Sequence, residues 1–426
     1  MKRRTFLDTS TATLAGSVLT ALPSINAAGA NRKVVIAAMG MGGRGMTLAS
    51  GLEELDHVEV KSIYDVDVTR AAYAAHVVGK VNDRNDIAYG QDFREALEDS
   101  DIDALVIATS NHWHGPAAVL GAAAGKHIYV EKPCSHNPHE GELMIEASRK
   151  YNRLIQHGTQ RRSRPGGVAG LNRIRAGAIG RPYYAHCYYR ANRPTLGIGK
   201  ATSVPEYLNY DLWQGPAPRT PYLDNRLHYN WHWFWRWGNG ELGNNGVHYI
   251  DIIREALGVD FPTHVVSSGG RFHFPDDDQE TPDTQIATFT FEGNCSITWE
   301  GLSCSRNRPG ERGEDIWIYG EGGSAILSGT GYKLLDENGV EFEANGGPGG
   351  QREHLENFVA AIREESELNA DIVEGHQSTL LCHLGNIAYR TGRALRCDPN
   401  NGRILNDPEA MKLWKREYQD GWEPAV

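Results

Sequence analysis

Residues 34–45 of the chain read VVIAAMGMGGRG, a short apolar run that leads directly into a glycine-rich turn. The turn carries the pattern G-x-G-x-x-G at Gly40, Gly42 and Gly45, between a candidate strand and a candidate helix. There, the first glycine permits a tight turn, the second lets a pyrophosphate approach the backbone, and the third allows close helix–strand packing. The stretch predicts a dinucleotide site, with Arg44 inside the turn as another cofactor-binding residue. Turn formation alone is the simpler alternative.

An acidic residue follows at the place that such a site requires. Asp65 ends the next apolar run, 20 residues after Gly45. A carboxylate there accepts hydrogen bonds from the adenosine ribose and repels a 2′-phosphate. We therefore predict NAD as the cofactor, with NADP less favoured. Capping of the following helix is the alternative role for Asp65.

Outward from this turn, residues 33–156 alternate short apolar runs with helical periodicity, the pattern of a parallel sheet with crossover helices. Strands are predicted at 34–38, 58–64, 104–108, 127–130 and 154–156. Helices are predicted at 46–55, 68–78, 93–98, 116–124 and 140–150. The sequence thus predicts an α/β protein whose N-terminal domain, residues 31–157, is a doubly wound Rossmann sheet.

After His157 the composition of the sequence changes, and stretches rich in aromatic residues, Gly and Pro appear. Alternating runs at 263–272, 283–291, 296–302 and 315–319 predict a largely antiparallel open sheet. Helices are predicted at 351–364 and 376–391, packing back on this sheet or on the first domain. Residues 158–426 are therefore predicted to form a substrate-binding α+β domain.

The first thirty residues differ from the rest. Arg3 and Arg4 precede a weakly apolar stretch at 11–22 and small residues at 27–30. This resembles a Tat export signal, which predicts cleavage near Ala28 or Ala30 and a periplasmic or otherwise exported protein. A membrane anchor is the alternative, but the apolar stretch is shorter than the roughly 20 residues that span a bilayer.

Composition favours small-molecule chemistry. The net charge is −11, from 43 Lys and Arg against 54 Asp and Glu, which gives no basic footprint for nucleic acid or an acidic membrane. We also expect a homo-oligomer. The six cysteines show no metal-ligand spacing. Their redox state is open, and Cys295 and Cys304 are a possible pair.

Two further segments carry a specific resemblance. Residues 108–114 read ATSNHWH and residues 125–133 read GKHIYVEKP. They resemble the T-P-N-x-x-H and G-K-H-V-x-x-E-K-P motifs of the Gfo/Idh/MocA family of dehydrogenases related to glucose-fructose oxidoreductase, with Ser110 in place of the proline. The resemblance covers essentially the whole chain after residue 30. Residues 212–218 and 240–251 look like features of exported bacterial members.

The resemblance implies that Asn111 and Glu131 seat the nicotinamide half of the cofactor, with His114 nearby, and that Lys132 lies beside the reacting carbon. Pro133 biases the preceding lysine toward an extended backbone. A lysine at this strand end can donate to a substrate oxygen, stabilise alkoxide charge or relay a proton. An ordinary surface lysine is the alternative.

An aromatic run, YNWHWFWRW at residues 229–237, holds four of the ten tryptophans. Indole rings pack against sugar C–H faces, but they serve equally well in a core. We name Trp235 as the candidate substrate contact from this run. Arg161 is a second candidate, because it resembles a family position that faces the cleft, with a surface salt bridge as the alternative.

The segment that contains His248 looks like the family's D-x-x-x-H-x-x-D element, which implies that His248 is a catalytic histidine. An imidazole suits proton transfer because its ordinary pKa of about 6.5 lies near working pH. The family aspartate is Asn244 here, so the expected carboxylate is missing, and Asn244 is left as a substrate contact. Asp251 is expected to support the helix. A buried structural role is the alternative for His248.

A metal site is the alternative reading for several of these side chains. They are His228, His232, Glu241 and His248. No further ligand spacing supports it, and we predict no metal.

Taken together, these features predict an exported NAD(P)-dependent enzyme that moves hydride between a sugar or polyol carbon and a tightly bound nicotinamide cofactor. Tight binding is expected because no free cofactor pool exists outside the cytoplasm. A glycoside-cleaving enzyme with a redox-neutral oxidation, elimination, hydration and reduction cycle is the alternative. A binding protein without turnover is a third class, against which residues 131–133 and His248 argue.

Overall fold

The computed structural model describes residues 33–305, 307 and 315–426. Residues 34–426 form one compact unit. The export signal predicted for residues 1–30 lies outside the described residues. In the described part of the chain, the search for a helix of membrane-spanning length and hydropathy finds none.

The first half forms a six-stranded sheet in the order β3-β2-β1-β4-β5-β6, with every neighbouring pair parallel. Its strands are β1 (Val34–Met39), β2 (Val58–Tyr64), β3 (Ala88–Gly90), β4 (Ala104–Ile107), β5 (His127–Val130) and β6 (Ile155–His157). Its helices are α1 (Gly43–Glu53), α2 (Val68–Gly79), α3 (Arg94–Glu98), α4 (His114–Ala123) and α5 (Pro138–Tyr151). The predicted doubly wound Rossmann sheet is confirmed.

Both faces of this sheet are buried, which explains the nearly continuous apolar runs of its strands. Along β1, Ile36 and Ala38 pack into one apolar cluster, whereas Ala37 and Met39 pack into the cluster on the other face. The strand order reverses between β1 and β4, so a crevice opens at their carboxyl ends, where open α/β sheets bind ligands.

The second half forms a nine-stranded sheet in the order β14-β13-β12-β11-β7-β10-β9-β8-β15. Its strands are β7 (Pro182–Arg190), β8 (His264–Gly270), β9 (Thr284–Phe291), β10 (Cys295–Leu302), β11 (Ile316–Gly320), β12 (Gly323–Leu327), β13 (Tyr332–Leu335), β14 (Glu341–Asn345) and β15 (Leu395–Arg396). Strands β7 and β10 run parallel and the other neighbours antiparallel. The predicted largely antiparallel sheet is confirmed.

Helices cover one face of this second sheet. The remaining helices are α6 (Pro165–Arg175), α7 (Tyr210–Gln214), α8 (Val247–Leu257), α9 (Gln351–Ile362), α10 (Ile372–Thr391) and α11 (Pro408–Met411). Ile250 of α8 and Leu384 of α10 share one apolar core with Phe289 of β9. Helix α9 instead packs on the Rossmann half, where Phe358 joins the cluster of Leu52. The predicted domain limits at residues 31–157 and 158–426 stay predictions.

The possible Cys295–Cys304 disulfide does not form, since all six cysteines are free among the described residues. Cys295 begins β10 and Cys304 lies beyond its end at Leu302. An extended chain rises about 3.3 Å per residue, so the two sulfurs lie at opposite ends of an eight-residue strand.

Candidate active site

A cavity of about 550 Å³ opens where β1, β4 and β5 end. Ligand sites commonly measure about 300–1,000 Å³. The Rossmann half contributes the glycine turn, the ends of β2, β4 and β5, and the start of α4. The second half contributes residues 212, 213, 228, 229, 231, 232, 244 and 248. The predicted residues that line the cavity are Gly40, Gly42, Arg44, Asp65, Asn111, His114, Glu131, Lys132, Asn244 and His248.

The glycine turn has the shape of a pyrophosphate cradle. Gly40 has φ +85°, and a Cβ there would lie 2.7 Å from the Ala108 carbonyl carbon. A Cβ on Gly45 would lie 1.9 Å from the Gly40 oxygen. A Cβ on Gly42 would meet no described atom within 4 Å, and no described side chain caps the N-terminus of α1. Open space beside unpaired amides fits a dinucleotide phosphate.

Asp65, at the end of β2, lines the cavity and contacts the glycine turn. Its carboxylate accepts hydrogen bonds from the backbone N–H groups of Met41, at 2.6 Å, and Asp67, at 2.9 Å. Burial raises the pKa of Asp65 above its usual value. The capping role that was the alternative for Asp65 belongs to Asp67, which accepts from the N–H groups of Thr69 and Arg70 at the start of α2.

A segment from the second half crosses this end of the cavity. We call residues 207–232 the crossing segment. The backbone N–H of Val68 donates to the Tyr207 carbonyl at 3.1 Å, and that of Asn209 donates to the Val66 carbonyl at 2.8 Å. The His228 Nε2 lies 3.2 Å from an Asp67 oxygen. The turn between β2 and α2, which carries Asp65, is thereby tied to the second half.

Arg44 and Glu131 both line the cavity and form an ion pair, with 2.6 Å between the Arg44 Nε and a Glu131 carboxylate oxygen. Burial alone raises the pKa of Glu131, but the charges of Arg44 and Lys132 hold it below its usual value. Asn111 donates to the Asn239 side chain at 2.9 Å. Arg44 therefore holds Glu131 as well as lining the cavity.

His114 supports the bend after β5. Its Nδ1 lies 2.6 Å from the Pro133 carbonyl and its Nε2 lies 3.1 Å from the Thr109 carbonyl. Burial lowers the pKa of His114. Because a neutral imidazole has one N–H, we assign that proton to Nδ1, where the contact is shorter. His114 thus fixes the strand end that presents Lys132.

Lys132 points across the cavity to the second half. Its Nζ donates to the backbone carbonyl and to the side-chain oxygen of Asn244, both at 2.8 Å. Burial lowers its pKa below the usual lysine value. An ammonium has three N–H donors. Two of them bond to Asn244, and the third has no partner among the described residues, so it can donate to a substrate oxygen.

His248 lies on the first turn of α8 and lines the cavity. Its Nδ1 is buried without a hydrogen-bond partner among the described residues. Burial, with the charges of Lys132 and Arg161, holds its pKa well below the usual value. Asp251 accepts hydrogen bonds from Arg162 and Ser378 and supports the fold.

His232 lines the cavity as well, although the sequence suggested only a metal-binding reading for it. Its Nδ1 lies 2.6 Å from the Tyr229 carbonyl. Because a carbonyl can only accept, Nδ1 carries the proton and Nε2 is left as an acceptor. The ring stacks on Trp231 with 3.6 Å between centroids. Burial, mainly, lowers its pKa to about 3, so the ring is neutral at neutral pH.

Two predicted substrate residues are placed elsewhere. Trp235 and Arg161 are not among the described residues that line the cavity. The guanidinium of Arg390 lies 5.0 Å from the Trp235 ring, and Arg161 lies 4.3 Å above the Tyr249 ring. The aromatic run turns at residues 230–233, so its rings point in different directions.

The aromatic run contributes residues both to the core and to the cavity lining. Trp233 and Trp237 are buried core residues, and Tyr229 lines the cavity. Trp231 belongs to both groups, because it packs in the same apolar cluster as Trp237 and also lines the cavity. The run therefore contributes rings to the core and to the cavity lining, and a ligand contact by any of them stays a prediction. A regular 2.0- or 3.6-residue period could not have revealed this division.

The alternative hypothesis of a metal site gains no support. Among the described residues, no group of three His, Cys, Asp or Glu side chains is arranged to hold a metal ion. His228 contacts Asp67, His232 contacts the Tyr229 carbonyl, and Glu241 pairs with Arg193.

Two family models match the chain. Residues 33–159 match the Gfo/Idh/MocA model described as the oxidoreductase family, NAD-binding Rossmann fold. Residues 195–424 match the companion model, the oxidoreductase family, C-terminal alpha/beta domain. Together they cover the Rossmann sheet and every strand of the second sheet except β7.

Two named relatives match over about a third of the chain. A glycosyl hydrolase family 109 protein of Stenotrophomonas maltophilia is 35% identical over 136 residues, 31% of this chain and 29% of that protein. Inositol 2-dehydrogenase of Salmonella typhimurium is 30% identical over 152 residues, 35% of this chain and 41% of that protein. The chain therefore matches less than half the length of these two relatives.

The solved structure of levoglucosan dehydrogenase in complex with NADH and levoglucosan is similar with a TM-score of 0.67 and 19% identity. The similarity covers 86% of this chain and 99% of that one. At this identity the match establishes a shared fold.

Proposed function

The chain belongs to the Gfo/Idh/MocA family of NAD-binding oxidoreductases, and from this premise we propose that it transfers hydride between a sugar or polyol carbon and a tightly held nicotinamide cofactor. The observation that carries the proposal is Lys132. Its ammonium lies at the end of β5, lines the cavity and keeps one donor for a ligand. The names of the inositol and levoglucosan dehydrogenases support a polyhydroxylated substrate.

The residues of the cavity divide the work of alcohol oxidation. The nicotinamide, when bound, supplies the hydride acceptor. Lys132 holds the substrate oxygen and stabilises the alkoxide charge that develops as its proton leaves. His232 accepts a hydrogen bond from a hydroxyl through Nε2, and the flat faces of Trp231 and Tyr229 pack against sugar C–H groups. His248, which also lines the cavity, is the candidate to receive the hydroxyl proton.

We propose that NAD is preferred over NADP because Asp65 places a carboxylate at the adenosine end. Replacing Asp65 with Asn removes its charge and keeps an acceptor for one backbone N–H. The NAD-to-NADP affinity ratio should then fall roughly tenfold, about 1.4 kcal/mol. Calorimetric titration of both dinucleotides measures it, and an unchanged ratio contradicts the assignment.

Export remains a proposal that rests on Arg3 and Arg4. An exported enzyme needs a cofactor that stays bound, which fits the crossing segment over the adenosine end. Replacing both arginines with lysine should leave uncleaved precursor in the cytoplasm. Normal amounts of processed protein outside the cytoplasm would contradict the proposal.

A second candidate is a redox-neutral glycosidase, which the name of the family 109 relative supports. His232 and His248 both line the cavity beside Lys132, which gives one more proton acceptor than alcohol oxidation needs. A ring hydroxyl is oxidised, the adjacent C–H loses its proton as the aglycone leaves, water adds, and the hydride returns to the keto carbon. The products are a free sugar and the aglycone, without net redox change.

One experiment separates these functions. The purified protein is denatured, and any released nicotinamide dinucleotide is identified by mass spectrometry. The native protein is then incubated with sugars, polyols and glycosides. A keto product with reduced cofactor supports the dehydrogenase, and free sugar without net reduction supports the glycosidase. If no dinucleotide is released and none binds at millimolar concentration, both proposals fail.

A further inference from the structure

A buried carboxylate stands behind Lys132, in the second half of the chain. Glu241 is 2% exposed and immediately precedes a π-helical turn, Leu242–Gly246, that leads into α8. Its Oε2 accepts from the Arg193 Nε at 2.6 Å and from the Ser303 Oγ at 3.2 Å. Its Oε1 accepts from the Arg193 Nη2 at 3.0 Å and also from the Asn245 side chain.

Asn244 joins this carboxylate to Lys132. The Asn244 Oδ1 accepts from the Lys132 Nζ at 2.8 Å, and the Asn244 Nδ2 donates to the Glu241 Oε1 at 3.4 Å. These two contacts orient the amide, because the ammonium can only donate and the carboxylate can only accept. Aspartate at position 244 would instead place two carboxylates side by side, and close like charges disfavour ionisation of both.

We propose that Glu241 is a positioning residue that supplies the negative counter-charge for Lys132 through the side-chain amide of Asn244. The missing carboxylate at position 244 is thus replaced by one three residues earlier. This inference rests on the proposed role of Lys132 in hydride transfer. Arg193 limits the effect, because its guanidinium neutralises part of the same charge and stacks 4.5 Å from the Trp233 ring.

Several charges act on Lys132, and they set the direction of each test. Burial lowers its pKa, while Glu131 and Glu241 raise it, and Arg44 and Arg193 lower it. The histidines whose pKa values respond to Lys132 are His114, His232 and His248. Removing the Glu241 charge should therefore lower the pKa of Lys132, and removing the Arg193 charge should raise it.

The test measures the titration of Lys132 directly. Trace acetylation with acetic anhydride over a range of pH, read by mass spectrometry of the Lys132 peptide, gives its midpoint without any substrate. Glu241→Gln should move the midpoint down by about one pH unit, the order expected for a buried charge several ångströms away. Arg193→Met should move it up. The double variant Glu241→Gln/Asn244→Asp should restore or exceed the wild-type midpoint.

Glu53→Gln is the matched control, since Glu53 is 1% exposed and pairs with Arg84 away from the cavity. Its midpoint should equal that of the wild type. An unmoved midpoint in folded Glu241→Gln overturns the inference and leaves hydride transfer intact. If Glu241→Gln does not fold, an unmoved or lowered midpoint in Arg193→Met overturns it. A wild type that oxidises no substrate defeats the proposed function and leaves the labelling result standing.

Discussion

At the scale of single residues, the groups that handle protons in the cavity differ in what holds them. Lys132 has two fixed acceptors on Asn244, whereas the Nδ1 of His248 has no partner among the described residues. A positioned acid or base contributes about 10²- to 10⁴-fold to rate. Because Lys132 is held more firmly than His248, we expect it to contribute more to the rate.

Lys132→Ala should therefore lower turnover by about 10²- to 10⁴-fold, and by more than His248→Ala. Both variants should retain the fold and the cofactor, because neither residue forms part of the glycine turn. Single-turnover hydride transfer, followed at the absorbance of the reduced nicotinamide, measures this. Lys61→Met, a surface ion-pair lysine on β2, is the control. Near-wild-type rates in both active-site variants would place the chemistry elsewhere in the cavity.

His232 should bind substrate through its Nε2 acceptor. His232→Phe keeps a ring to stack on Trp231 but loses that acceptor, so kcat/KM should fall by about tenfold, the cost of one lost hydrogen bond of roughly 1–1.5 kcal/mol. Because burial lowers the pKa of His232 to about 3, the acceptor is present at every pH above about 5. In the wild type, kcat/KM plotted against pH should therefore show no rise or fall due to titration of His232.

His232→Asn is the companion variant, since its amide retains an acceptor and loses the stacking. Steady-state kinetics over pH 5–9 compare the two. Equal losses in both variants would assign the effect to the ring face rather than to Nε2. An unchanged kcat/KM in His232→Phe would remove His232 from the substrate site.

At the scale of elements, we expect the crossing segment to slow the release of a bound cofactor. It contacts the β2–α2 turn through backbone hydrogen bonds and through His228 beside Asp67. A dinucleotide that lies under this segment can leave only when those contacts open. Its dissociation rate should therefore depend on residues that do not touch the reacting carbon.

His228→Phe should raise the cofactor dissociation rate by about fivefold to tenfold, because one partly buried polar contact of about 1 kcal/mol is lost. Turnover with saturating added NAD should change little. Dilution or rapid dialysis followed by cofactor assay measures the rate. His264→Phe, an exposed position at the start of β8, is the control. Equal cofactor retention in the two variants would contradict the role of this segment.

Elements differed in how well the sequence predicted them. Strands β2 and β5 were predicted with their observed bounds, since their apolar runs are buried in a sheet covered on both faces. Strand β3 was missed because its three residues are not buried. Strand β7 was missed because its sequence, PYYAHCYYR, shows no regular apolar alternation, and only Ala185 and Cys187 are buried.

The residues of the candidate site also divide into those that the sequence predicted and those that it missed. The glycine turn, Asp65 and Lys132 were predicted because local motifs place them at strand ends. His232 and Glu241 were missed, since their roles depend on the Tyr229 carbonyl and on Arg193, which pattern alone does not bring together. Trp235 is not among the described residues that line the cavity, and its substrate contact stays a prediction.

At the scale of the whole molecule, the cavity needs both halves of the chain. The Rossmann half supplies Lys132 and the cradle, and the second half supplies His232, Asn244 and His248. Loosening the contacts between the halves should therefore separate groups that act on one substrate. Conditions that destabilise the fold should reduce turnover.

Buried histidines make that fold sensitive to acid. Burial lowers the pKa of each member of a group that comprises His112, His114, His136, His157, His232, His248, His354, His376 and His383. In the unfolded chain each titrates near pH 6.5. Below that pH the unfolded state binds more protons than the native state, so stability falls as pH falls. Each histidine contributes on the order of 1 kcal/mol per pH unit until its native pKa is reached.

The melting temperature should therefore drop steeply between pH 6.5 and about 4.5, before most carboxylates protonate. Burial is the sole cause of the lowered pKa of His376, which lies near 4. His376→Gln should accordingly reduce the slope of unfolding free energy against pH by about one proton, whatever it does to stability at pH 8. Scanning calorimetry at a series of pH values measures both slopes. A slope in the variant equal to that of the wild type would mean that His376 is protonated in the native state. A melting temperature that stays constant down to pH 5 would contradict acid sensitivity for the group as a whole.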